Sequence, residues 1–228
     1  MAVSISLPVE ICCKGILFDM DGILISSIES VERSWTKWAR IRGIDPEYAL
    51  SITHGRRAIE SVATLRPDLD SESELRVIEE IELADGEGLT NLPGVLNLLA
   101  ALPAHRWTVV TSATERLARV RLAQAGLPVP PCLITAESVE AGKPDPAPYR
   151  AGAVLLGLAP EDCVVFEDSA SGVASGRAAG CIVIATTFSH PAESLDAAHY
   201  LVEDVTGVSV KALAGDAGIV LNLTPMAE

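Results

Sequence analysis

The sequence predicts an α/β fold: a doubly wound parallel sheet core carrying a small inserted α-helical cap domain. Two observations predict it. After residue 91, short apolar runs alternate with segments of helical periodicity, the pattern of parallel strands joined by crossover helices. The stretch from Ser27 to Leu89 breaks that alternation and reads as helical throughout. The core is therefore expected over residues 1–26 and 91–228, and the cap over residues 27–90.

The first strand is expected at Ile11 to Phe18, an apolar run that ends in Asp19-Met20-Asp21-Gly22. Residues two apart on a strand share a face, so both carboxylates can lean over the carboxyl edge of the sheet, where open α/β folds place their ligands. In the cap, Ile28, Val31, Trp35, Trp38 and Ile41 recur at helical spacing, as do Leu75, Ile78 and Ile81; the two tryptophans read as packing within the cap. Further strands are expected at Trp107 to Thr111, Cys132 to Thr135, Cys163 to Glu167, Cys181 to Thr186 and Tyr200 to Val202. Helices are expected at Val95 to Leu102, Glu115 to Ala125, Ala147 to Leu156 and Ser171 to Ala179, with Gly126, Gly157 and Gly180 placed to close the last three. The run from Ile219 to Leu223 reads as an edge strand or a segment packed on the core.

Composition limits what this fold can serve. With 228 residues, 49% of them hydrophobic, the chain can bury one sizeable core and a smaller satellite. A net charge of −14 argues against nucleic acid or an anionic membrane as partner. Any anion site must then be a local island of positive potential. No apolar run approaches a membrane span, and Met1 to Glu10 lacks a basic region ahead of a long apolar segment, so a cytoplasmic protein is expected. The five cysteines are odd in number, lack CxxC spacing and fall at or inside the expected strands, which reads as buried structural thiols.

A DxDG stretch alone is an ordinary turn. Here it has company on other strand ends and loops: Thr111-Ser112-Ala113-Thr114, then Gly142-Lys143-Pro144-Asp145-Pro146, then Glu167-Asp168-Ser169. In this order the set resembles the haloacid-dehalogenase-like superfamily, with its Rossmann-like core. The spacing is similar to that of its sugar- and polyol-phosphate phosphatases, with a helical cap inserted after the first motif.

The resemblance implies a mechanism. Asp19 would be the nucleophile that forms an aspartyl-phosphate, and Asp21 would protonate the leaving alkoxide and then deprotonate the hydrolytic water. Mg²⁺ would be held by the Asp19 carboxylate, the Asp21 backbone carbonyl and the Asp168 carboxylate, with Glu167 as a further ligand or standing behind them. Ser112 and the Ala113 N–H would hold phosphoryl oxygens at the start of a helix, and Lys143 would be a point charge against both the phosphoryl group and Asp19. In the cap, the His54-Gly55-Arg56-Arg57 turn would face the site and help choose the substrate; a solvated turn whose arginines offset Glu60 is the competing reading. The implied partner is a small phosphorylated molecule, and a monomer is expected.

Two other functions share these residues. A β-phosphoglucomutase-like mutase would return the phosphoryl group to a sugar hydroxyl before water arrives. A phospho-ligand-binding protein with little turnover is the other, and its support is Ile23, at a position where the family usually has Thr or Val. A dehalogenase is disfavoured, since that chemistry needs neither the second aspartate nor a magnesium site.

Overall fold

The computed structural model describes residues 9–53, 56–212 and 218–224. The chain begins with β1 (Val9–Cys13) and β2 (Gly15–Phe18), divided at Lys14. The single strand expected over Ile11 to Phe18 is therefore two strands. Their partners explain the break: β2 pairs in parallel with two strands of the main sheet, whereas β1 pairs antiparallel with the last strand of the chain. The two halves of the run thus belong to different sheets.

Next, β3 (Ile25–Ser26) leads into four helices, α1 (Ile28–Ile41), α2 (Pro46–Thr53), α3 (Ala58–Leu65) and α4 (Ser71–Ala84), and β4 (Thr90–Asn91) returns antiparallel to β3. These helices bury their own cluster of Trp35, Trp38, Ala39, Ala49, Val62 and Ile78. Trp35 and Trp38 meet edge to face at 5.4 Å, as their helical spacing requires. The Trp38 indole N–H donates to Glu74 at 2.9 Å, and Arg42 grips the same carboxylate at 2.7 and 2.9 Å.

The remaining elements are α5 (Val95–Ala101), β5 (Trp107–Val109), α6 (Glu115–Gln124), α7 (Ala147–Leu155), β6 (Cys163–Glu167), α8 (Ala170–Ala179), β7 (Ile182–Thr186), β8 (Tyr200–Val202), β9 (Val208–Ala212) and β10 (Ile219–Leu223). The main sheet is parallel, in the order β5-β2-β6-β7-β8. Its alternation feeds two cores. Ile16, Phe18, Val164, Phe166 and Ile184 face one side, and Leu17, Val165, Val183 and Ala185 the other. Each buried Val, Leu, Ile or Phe among them contributes about 1.5–3 kcal/mol.

Three expectations are corrected. Cys132 to Thr135 is not a strand: Ile134 makes one parallel bridge to Val110, because Pro128, Pro130 and Pro131 just before it offer no N–H for a ladder. Cys12 and Cys132 are exposed, so only Cys13, Cys163 and Cys181 are buried thiols, and burial pushes each of these three up to about 12. Of the two readings of Ile219 to Leu223, the edge strand fails and the packing on the core holds. Strand β10 lies between β1 and β9 in a three-stranded antiparallel sheet and buries Ile219, Leu221 and Leu223 in the larger core. Among the described residues, no helix is long and apolar enough to cross a membrane.

Candidate active site

Strands β2 and β6 are neighbours in register, Phe18 opposite Phe166, so the residues that follow them emerge side by side at the carboxyl edge. Asp19 follows β2, and its N–H donates to the Phe166 carbonyl at 2.9 Å. Glu167 ends β6 and Asp168 follows it. Lys143 arrives from the loop before α7, where the Lys143–Pro144 peptide is cis. Its ammonium lies 2.7 Å from Asp19 Oδ1 and 2.6 Å from Glu167 Oε1, and 5.1 Å from the centre of the Tyr149 ring.

Glu167 is saturated. Oε1 accepts from Lys143 and from the Tyr149 hydroxyl at 2.7 Å, while Oε2 accepts from the Asp168 N–H, the Ser169 N–H and the Ser169 hydroxyl. Burial raises its proton affinity, but Lys143 and these donors outweigh burial and hold its carboxyl below the usual range. Asp19 and Asp168 are less well compensated. Burial pushes Asp19 up to about 7 against the pull of Lys143, and burial, with Glu167 and Asp19 adding to it, raises Asp168 well above its ordinary value. Asp168 also accepts from the Ser189 hydroxyl.

Two glycines make this packing possible. Gly22 has φ +77°, and a Cβ there would lie 1.9 Å from Asp168 Oδ2. A Cβ on Gly172 would lie 1.7 Å from Glu167 Oε1.

Asp21 turns away from this cluster. Its carboxylate accepts from the Ser27 hydroxyl and from Arg121 Nη1 at 3.3 Å, on the side of the helical insertion. A cavity of about 470 Å³ lies there, floored by Asp19, Asp168 and Lys143 and roofed by side chains of α1, α3 and α4. Ser112 and Ala113 line it beside the N-terminus of α6, whose cap Thr114 accepts from the Leu117 N–H and donates to Glu79.

The structure brings Asp19, Asp21, Ser112, Lys143, Glu167 and Asp168 to one strand edge. The Ala113 N–H, expected to face phosphoryl oxygens, donates instead to Thr111 Oγ1 at 3.1 Å. Arg56 lines the cavity, and Arg57 does so while donating to the Glu140 carbonyl at 2.8 Å and standing 3.5 Å from Glu60. His54 lies outside the described residues. Ile23 is 1% exposed within the core. Ser27, Glu82, Arg121, Tyr149 and Ser189 were not singled out in the sequence. They come from separate elements and share no motif.

The donor set decides which ion suits the floor. Asp19, Glu167 and Asp168 bring carboxylate oxygens within 4.8 Å of one another, all buried, with Lys143 bonded to Asp19 and Glu167. Glu167 is committed to its hydrogen bonds, whereas Asp19 and Asp168 carry poorly compensated charge. An all-oxygen site with surplus negative charge fits a hard divalent cation.

Comparison with known proteins agrees with this geometry. The chain is 48% identical over 178 residues to hexitol phosphatase A of Escherichia coli, covering 76% of this chain and 82% of that one. It is 35% identical over 195 residues to glycerol-1-phosphate phosphohydrolase 2 of Saccharomyces cerevisiae, covering 79% and 78% of the two chains. The fold is shared with a β-phosphoglucomutase of Clostridium difficile, at a TM-score of 0.71 and 21% identity over 84% of this chain and 91% of that one. Residues 13–180 match the haloacid dehalogenase-like hydrolases, and with the greater part of its length so matched, the chain belongs to that family.

Proposed function

We propose that the chain is a Mg²⁺-dependent phosphatase that hydrolyses a small sugar or polyol monophosphate through an aspartyl-phosphate on Asp19. One observation carries this reading: Asp19 sits beside Lys143 in a buried acidic floor, while Asp21, two residues on, lines the same cavity with its carboxylate held by Ser27 and Arg121 instead of Lys143. The nucleophile and the proton carrier are thereby separated, with room for a phosphoryl group and its leaving oxygen.

The residues divide the work. An Asp19 oxygen attacks phosphorus as the bond to the substrate oxygen breaks, and Asp21 delivers its proton to that oxygen, releasing the alcohol. Water then attacks the same phosphorus, Asp21 takes its proton, and the bond to Asp19 breaks to give orthophosphate. Lys143 holds Asp19 in place and balances phosphoryl charge, and Ser112 offers a hydroxyl to a phosphoryl oxygen. Asp19, Asp168 and the Asp21 carbonyl would hold Mg²⁺, which supplies charge neutralisation for the transferred group. Glu167 serves by fixing Lys143. Arg56, Arg57 and His54 are the residues of the insertion turn that we place against the substrate.

The curated relatives at 48% and 35% identity carry the names of phosphatases of a hexitol phosphate and a glycerol phosphate, which supports the substrate class. The mutase reading has less support, since the mutase named above shares only 21% identity, a level that speaks to fold alone. The test is orthophosphate release from a panel of sugar and polyol phosphates, with and without Mg²⁺, for the wild type and Asp19→Asn. Magnesium-dependent release that the substitution abolishes is expected. Interconversion of sugar phosphates without release would favour the mutase.

A further inference from the structure

The mechanism above leaves two buried charged groups of the cavity unassigned. Arg121 comes from α6 of the core and Glu82 from α4 of the insertion; their side chains are 3% and 7% exposed, and both line the cavity. They are poorly satisfied by one another. Arg121 Nη2 lies 3.5 Å from Glu82 Oε1 and Nη1 lies 3.3 Å from Asp21 Oδ1. Charge-assisted hydrogen bonds run to about 2.7–2.9 Å. The Nε of Arg121 is buried without a partner among the described residues. A guanidinium has five N–H donors, and leaving them unused in a buried site is costly.

We propose that Arg121 and Glu82 are a donor–acceptor pair that reads adjacent hydroxyls on the body of the substrate, which makes that body an uncharged polyol chain. The inference rests on the phosphatase reading of this cavity and deepens it. A hydroxyl both accepts and donates, so neighbouring hydroxyls can take an N–H from Arg121 and give an O–H to Glu82. The pair adjoins Asp21, which serves the leaving oxygen, so the hydroxyls read are those on carbons next to the phosphate-bearing carbon. Val31, Trp35 and Leu75 also line the cavity and offer apolar surface to the carbon chain. Glu32 and Glu72 share that lining, along with Arg56 and Arg57, and oppose a second phosphoryl group placed beside them. A substrate without hydroxyls leaves both charged groups unsatisfied, which is how a hydrogen-bonding site discriminates.

The test compares kcat/KM for a hexitol 6-phosphate with that for n-hexyl phosphate, which has the same chain length and also leaves as a primary alkoxide but has no hydroxyls. The wild type is expected to prefer the hexitol phosphate by at least about a hundredfold, and the ratio to fall at least about tenfold in Arg121→Met and in Glu82→Leu. Arg121→Lys and Glu82→Gln supply the same reading if the apolar replacements do not fold. A ratio that stays constant while both rates fall together means that the pair only steadies Asp21, and overturns the inference. Absence of orthophosphate release by the wild type from every sugar and polyol phosphate of the panel overturns the phosphatase reading instead, so the two failures are distinct.

Discussion

The Lys143 ammonium and the Glu167 carboxylate meet at 2.6 Å where water barely reaches, their side chains 3% and 0% exposed. Neither charge would be tolerated there alone. The pair also has a third member, since Lys143 bonds Asp19 at 2.7 Å. The lysine is thus a structural counter-ion and, in the proposed mechanism, a part of the reaction site at once.

Lys143→Met should therefore cost stability as well as activity. Removing one partner of a buried ion pair costs about 3–5 kcal/mol, because the carboxylates left behind are uncompensated. Urea unfolding of the metal-free protein checks this. A variant as stable as the wild type would mean that the carboxylates take up protons without penalty.

Gly22→Ala should damage the floor without touching a charged residue. The new Cβ falls on Asp168 Oδ2, and the backbone stands at φ +77°, where a side chain costs about 1–2 kcal/mol. Displacement of Asp168 is expected to weaken Mg²⁺ affinity about 10- to 100-fold, read by calorimetric titration.

Divalent cation should stabilise the folded chain. Binding to the native state alone contributes about 2.7 kcal/mol when the ion is at a hundred times its dissociation constant. A rise in Tm on adding Mg²⁺ is expected in the wild type and should be much reduced in Asp168→Asn.

Glu82 gives stability a pH dependence. Burial pushes its carboxyl from 4.5 up to about 7, with Arg121 opposing. Between those values the folded chain holds a proton that the unfolded chain has released. The stabilisation is therefore full below about pH 4.5 and is lost as pH rises through about 7, a difference on the order of 3 kcal/mol. Glu82→Gln should remove that part of the slope, so its stability relative to wild type should improve from pH 4.5 to pH 8 in chemical denaturation.

Much of the site was legible because its residues follow strands directly. Asp19 and Asp168 each stand one residue beyond a buried run, and Lys143 sits in a Gly-Lys-Pro turn, so local sequence and strand order place them together. Arg121 and Glu82 were not legible. They lie on α6 and α4, helices whose polar residues look alike until the two pack over one cavity. The division of the first strand at Lys14 was hidden for a similar reason: Lys14-Gly15 interrupts the apolar residues between Ile11 and Phe18 only briefly, and the distant β10 reveals that Val9–Cys13 belongs to another sheet. The exposed Cys132 follows from three nearby prolines whose effect on pairing depends on which strand stands beside them.

The short pairing of Ser26 with Thr90 and of Ile25 with Asn91 brings the two ends of the helical insertion together. Entry and exit thus share one doorway, and the main sheet keeps its strand order whatever lies between them. An insertion tethered in this way is interchangeable in principle: another helical unit of different shape could be spliced between the same two strands and inherit the acidic floor intact. The half of this architecture that carries the acidic floor and the half that roofs the cavity can therefore diversify at different rates.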